Sequence, residues 1–150
     1  MKQQQYKLIL QQLAALLDGE HDMIANMANM SALLFENLTD INWVGFYLMK
    51  QGELILGPFQ GKAACMHIPI GKGVCGVSAE THTVQRVENV HEFASHIACD
   101  SASNSEIVIP LMKKDTLIGV LDIDSPVYSR FNSVDQQYLE QAAQILLQSL

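Results

Sequence analysis

Three cysteines and three carboxylates carry the reactive potential of this chain: Cys65, Cys75 and Cys99, and Glu106, Asp122 and Asp124. Cys99 stands in HIACDSASNSEIVIPL, residues 96–111, beside an aspartate and ahead of a run of small polar residues. Such a run is loop material, where burial is not the natural fate of a thiol. Four roles are open to it: inert packing, half of a structural disulfide, a metal ligand, or a nucleophile. A thiolate here would be stabilised by backbone N–H groups or by a histidine such as His96. With a second mobile thiol in reach, it would support oxidation to a sulfenic acid followed by disulfide closure. The cysteines lie ten and then twenty-four residues apart, with His67 and His96 nearby. That spacing is not the one of familiar zinc knuckles, although three cysteines and a histidine can still converge in space.

The carboxylates raise a separate question. Asp122 and Asp124 fall in TLIGVLDID, which reads as a strand, so they share a face about 7 Å apart at ideal pitch. Glu106 opens the preceding strand, EIVIPLMK, and a hairpin through Lys114-Asp115 brings it to the same end. Aspartate is depleted in strands because it competes for backbone hydrogen bonds. Three carboxylates gathered there repel one another unless a cation sits among them: a metal, a basic side chain, or the ammonium of a ligand. The competing reading is a solvated outer sheet face ending in a turn.

In NWVGFYLM, Trp43, Gly45 and Tyr47 share one strand face and Val44, Phe46 and Leu48 the other. The glycine leaves a gap between two aromatic rings that would serve a small ligand as floor and wall; alternatively it is a packing glycine in an aromatic core pair. GKGVCG (Gly71, Gly73, Gly76) matches the G-x-G-x-x-G pattern. The dinucleotide fingerprint also needs a parallel βαβ unit, whereas the surrounding strands read as hairpins. A turn that brings Cys75 and nearby backbone close to a ligand is the better reading.

The elements that must position these residues follow from periodicity. Residues 3–17 carry Tyr6, Ile9, Leu10, Leu13, Leu16 and Leu17 on one helical face, and Asp22–Asn37 has a stripe of Met23, Met27, Met30 and Leu34. The methionine row is core rather than a ligand groove. Strands are predicted at NWVGFYLM and ELILGPF around a Lys-Gln-Gly turn, at MHIPI, at HTVQRVE, and in the second hairpin. GKGVCGVSAE leads into a short helix, and 89–105 is a long connection with room for a helical turn. A last helix follows RFNSVD, capped at Asn132 or Ser133, with Leu139, Ala142, Ala143, Leu146 and Leu147 inward. Helices at both ends with hairpins between them imply one α+β domain over 1–150, built on a mostly antiparallel sheet.

Composition narrows the function. A chain of 150 residues that is 49% hydrophobic can bury a core unaided. A net charge of −7 argues against nucleic acid and anionic membranes. No apolar run approaches a bilayer span, and MKQQQYKLIL lacks a signal-peptide pattern, so a cytoplasmic protein is expected. In that compartment permanent disulfides are rare, and an odd cysteine count does not make a fully paired framework.

Together, NWVGFYL, GPFQGKAACMHIPIGKGVCG, HIACDSASNSEIVIPL and GVLDIDSP closely resemble the free methionine-(R)-sulfoxide reductases, a single-domain branch of the GAF fold. The likeness runs from about Asn42 to Leu139 and includes all three cysteines in order and spacing. It implies a six-stranded antiparallel sheet with helices packed on it and a small pocket closed by loops. It also implies catalysis by Cys99, a disulfide between Cys99 and the resolving Cys65, and Cys75 as an alternative or second resolving thiol. Trp43 and Tyr47 match aromatic pocket residues near the methyl group and sulfoxide. Glu106, Asp122 and Asp124 match residues that hold the substrate's ammonium and help the proton transfers. No metal or cofactor is implied; thioredoxin is the implied reductant, and a homodimer is common for the fold. The alternative from another class is a non-catalytic GAF sensor of a small ligand.

Overall fold

The computed structural model describes residues 1–95 and 102–150. Helices α1 (Lys2–Leu17) and α2 (Met23–Asn37) come first, then strands β1 (Trp43–Lys50), β2 (Glu53–Gly61) and β3 (His67–Ile68). After helix α3 (Gly73–Thr81) come β4 (Gln85–Val87), a 3-10 turn (Val90–Glu92), β5 (Ser105–Lys113), β6 (Thr116–Ser125) and helix α4 (Ser133–Ser149). The strands form one sheet in the order β3-β2-β1-β6-β5-β4, and every pairing is antiparallel. The expected α+β architecture with six strands is what the chain adopts. Among the described residues no helix is long and apolar enough to cross a membrane.

The two faces of the sheet bury different things. Val44, Phe46 and Leu48 of β1, Ile107, Ile109 and Leu111 of β5, and Leu121 and Ile123 of β6 pack with the apolar stripes of α1, α2 and α4. The methionine row belongs here: Met27 and Met30 are fully buried. Trp43, Tyr47, Val108 and Val120 point to the other face, where Val74, Cys75 and Ala79 of α3 meet them in a smaller cluster. The alternation read from β1 therefore sorts residues onto their faces correctly.

Local chemistry sets the element ends. Asp22 caps α2 by accepting from the Ala25 N–H at 2.9 Å. Asn132 caps α4 in a reciprocal box: its side chain accepts from the backbone N–H groups of Val134 and Asp135, while Asp135 accepts from the Asn132 N–H. Two strands are shorter than expected. MHIPI contributes only His67–Ile68, because Pro69 has no N–H to extend the ladder. HTVQRVE contributes only Gln85–Val87, because α3 runs on to Thr81 and His82 closes it in the left-handed region, φ 56°, with its N–H on the Ser78 carbonyl.

Candidate active site

The sheet's ladder places the carboxylates. Across β5 and β6, Glu106 is paired with Asp124 and Val108 with Asp122; across β1 and β6, Trp43 faces Asp124 and Gly45 faces Asp122. All these side chains project from the face that α3 covers. Trp43, Glu106, Asp122 and Asp124 line a cavity of about 50 Å³ together with Tyr47, Cys75, Ser103, Ala63, Ala64 and Lys72. The three carboxylates singled out from sequence, both aromatics and Cys75 thus share one pocket. Of these, Lys72 and Ala63 are exposed and mark its solvent side.

Gly45 is not the floor of this pocket. A Cβ at that position would stand 2.3 Å from Phe59 Cβ, so the glycine lets β2 approach where the β1–β2 register shifts. Phe59 fills the expected gap and stacks on Trp43 at 5.2 Å. Trp43 and Tyr47 lie 5.9 Å apart, and both are nearly fully buried. Their polar tips hold the chain after β2: Trp43 Nε1 donates to the Lys62 carbonyl (3.0 Å) and Tyr47 OH to the Cys65 carbonyl (2.9 Å). The second bond ties the loop carrying Cys65 directly to the pocket wall. Sequence reasoning assigned these rings to the ligand; the anchoring of the thiol loop was not readable from it, because both acceptors are backbone atoms.

The glycine loop reaches in from the opposite side. Gly71 and Gly73 adopt φ of 86° and 67°, conformations that favour glycine, and a Cβ on Gly76 would meet the Pro69 carbonyl at 2.5 Å. This tight turn starts α3 and sets Cys75 in its first turn, buried, with Sγ 4.0 Å from Glu106 Oε2. No βαβ unit surrounds it, as the antiparallel pairing shows.

Electrostatically the pocket is costly. Asp122 is buried, and its Oδ1 has no hydrogen-bond partner among the described residues. Desolvation, and then the charge of Asp124, push its pKa well above the usual carboxylate range. Desolvation and the neighbouring Asp122 do the same to Glu106. The Cys75 thiol is raised by burial first and by Asp122, Glu106 and Asp124 after it. Tyr47 is raised by desolvation and by Asp122, so it remains a neutral phenol. A cluster of this kind holds protons until a cation arrives to replace them.

The cysteines differ in state. Cys65 is disulfide-bonded, and Cys75 is free. The nucleophile expected at Cys99, and His96 with it, lie outside the described residues. His67 is turned away from the pocket, 3.1 Å from Glu53 and exposed. No gathering of Cys65, Cys75 and His67 into a zinc knuckle occurs among the described residues; the group there able to hold a metal is Cys75, Glu106 and Asp122.

Comparison with known proteins is specific. The GAF domain family matches residues 3–150. The free methionine-R-sulfoxide reductase of Escherichia coli K12 is 60% identical over 127 residues, 85% of this chain and 77% of that protein. The reduced fRMsr of Staphylococcus aureus superimposes with a TM-score of 0.95 at 56% identity, covering 97% of this chain and 94% of that one. The free methionine-R-sulfoxide reductase of Neisseria meningitidis, solved in complex with its substrate, gives a TM-score of 0.96 at 42% identity, covering 99% and 90%.

Proposed function

Because this chain belongs to the GAF domain family and, within it, to the free methionine-R-sulfoxide reductases, we propose that it reduces free L-methionine-(R)-sulfoxide through a cysteine sulfenic acid and an intramolecular disulfide. The observation that carries this reading is the carboxylate cluster on the pocket floor. Asp122 keeps a buried oxygen without a hydrogen-bond partner among the described residues, beside Glu106 and Asp124, in a cavity also lined by two aromatic rings. An ammonium group supplies what that cluster needs, and the rings suit a thioether chain.

In the proposed sequence the substrate ammonium enters among Glu106, Asp122 and Asp124. Its positive charge favours their ionised forms, so a proton held by the cluster becomes available to the sulfoxide oxygen. The Cys99 thiolate attacks the sulfur made electrophilic by that proton. The oxygen passes to Cys99 as a sulfenic acid, and methionine leaves with its sulfur reduced. The Cys65 thiol then condenses with the sulfenic acid, forming a disulfide and releasing water. The oxidised state of Cys65 and the free state of Cys75 favour Cys65 as the resolving residue. The hydrogen bond from Tyr47 to the Cys65 carbonyl keeps that residue beside the pocket. A dithiol, thioredoxin in the cell, restores both thiols by exchange. A cytoplasmic location is part of this proposal, and a homodimer is an assembly common for the fold.

The test supplies free methionine-(R)-sulfoxide and dithiothreitol and measures methionine formed. Wild type should turn over the R epimer and leave the S epimer untouched, and Cys99→Ser should be inactive. Absence of turnover in wild type would favour a non-catalytic ligand sensor; full activity in Cys99→Ser would remove the nucleophile.

A further inference from the structure

Cys75 is left without a part in the sequence just proposed, yet it is buried against the carboxylates of Glu106 and Asp122. One ligand atom from each of Cys75, Glu106 and Asp122 lies within 4.8 Å of the other two. They come from α3, β5 and β6, three elements that approach the pocket from different directions. A tetrahedral zinc-class ion, with Zn–S near 2.3 Å and Zn–O near 2.0–2.2 Å, spaces its ligand atoms roughly 3.5 Å apart. The cluster therefore needs to close by only on the order of 1 Å to bind such an ion. Asp122, 5% exposed, lines this cavity, and its Oδ1 is buried with no hydrogen-bond partner among the described residues.

We infer that Cys75, Glu106 and Asp122 form a binding site for a thiophilic divalent cation of the zinc class, overlapping the place of the substrate ammonium, so that metal and substrate exclude each other. The overlap rests on the function proposed above; the metal site does not. One soft sulfur with two hard oxygens selects zinc, cadmium or cobalt over magnesium and calcium, whose sites are built from oxygen alone. Binding displaces the thiol proton to solvent and forms a metal–sulfur bond, with no change of oxidation state. Three protein ligands leave the fourth position to water. The cation answers the carboxylates as the ammonium would, but its bond to sulfur is one that no ammonium can make.

Cadmium titration of the oxidised protein tests this, since Cys65 is then in its disulfide and Cys75 is the free thiol. Wild type should develop a thiolate-to-cadmium charge-transfer band that saturates at one ion per chain and releases a proton. Free methionine sulfoxide should suppress the band. Cys75→Ser should lose the band. Asp122→Asn should weaken binding by at least the roughly 10–100-fold that even an outer-shell partner of a metal is worth. Near-ultraviolet circular dichroism establishes that both variants are folded. A wild type without the band, or a band that survives in Cys75→Ser, overturns the site. A band that methionine sulfoxide leaves unchanged, in a protein that turns this substrate over without metal, overturns the overlap. The metal-free turnover assay reads the proposed function separately, so either can fail alone.

Discussion

Asp122 is the residue at which binding and stability pull in opposite directions. Buried and beside the charge of Asp124, it holds its proton more tightly in the folded chain than in the unfolded one. Folded-state stability is therefore lost as pH climbs from the ordinary carboxylate range through the raised pKa, and above both values the cost is complete. Asp122→Asn removes that cost while keeping the side chain's shape. Its melting temperature should exceed that of wild type at neutral pH, and the gain should vanish in acid; calorimetry from pH 4 to 8 reads both. The same variant loses a charged partner for the ammonium, an interaction of about 1.5–3 kcal/mol, so KM should rise roughly 10–100-fold. An unchanged KM would remove Asp122 from the ammonium site.

Between elements, a buried polar joint ties α4 to α1, helices on the sheet face opposite the pocket. Asp135, in the first turn of α4, is fully buried and accepts from Tyr6 OH at 2.6 Å and Lys2 Nζ at 2.7 Å, both on α1. Arg130 Nη1, before α4, approaches at 3.2 Å, and the Asn132 N–H closes the capping box. Burial alone would raise the pKa of Asp135, but Lys2, Tyr6, Asn132 and Arg130 together hold it below the usual range. The stability it contributes is present above the unfolded carboxylate pKa and is lost as pH falls through its lowered value. Asp135→Ala should cost about 2–4 kcal/mol, seen as a melting point lower by roughly 5–15 °C. The loss should be smallest at low pH. This joint shows where sequence reasoning stops. The cap at Asn132 and the inward stripe of α4 were legible because they are local patterns. The partners of Asp135 sit at Lys2 and Tyr6, more than a hundred residues away, and no periodicity reports such a meeting. The carboxylate cluster was legible for the opposite reason. A hairpin fixes its own register, so Glu106, Asp122 and Asp124 could be placed together from alternation and one turn. Of the two readings open for Gly45, the packing glycine holds, but what it packs against, Phe59 at a bulge in β2, leaves no mark in the sequence of β1.

The whole molecule divides its work between the two faces of one sheet. Three helices close one face over a continuous apolar core; the other carries α3, the loop after β2 and the pocket. Under the proposed function, the pocket lined by Glu106, Asp122 and Asp124 receives a single amino acid carrying its own ammonium. N-acetyl-methionine-(R)-sulfoxide keeps the reacting sulfur and removes that charge. It should be reduced at least roughly 10-fold less efficiently in kcat/KM than the free amino acid, the lower end of what a charged hydrogen bond is worth. Parallel assays of the two sulfoxides check this. Equal efficiencies would mean that the carboxylates serve something other than substrate recognition.

The alternation of β6 from Leu121 to Asp124 has a consequence for how such a protein is inherited. Leu121 and Ile123 face the helices, while Asp122 and Asp124 face the pocket. Loss or gain of a single codon within that strand would send two carboxylates into the apolar core and two aliphatic side chains into the pocket. Chemistry and foldability thus share one strand register, and changes between Leu121 and Asp124 are expected to arrive as substitutions.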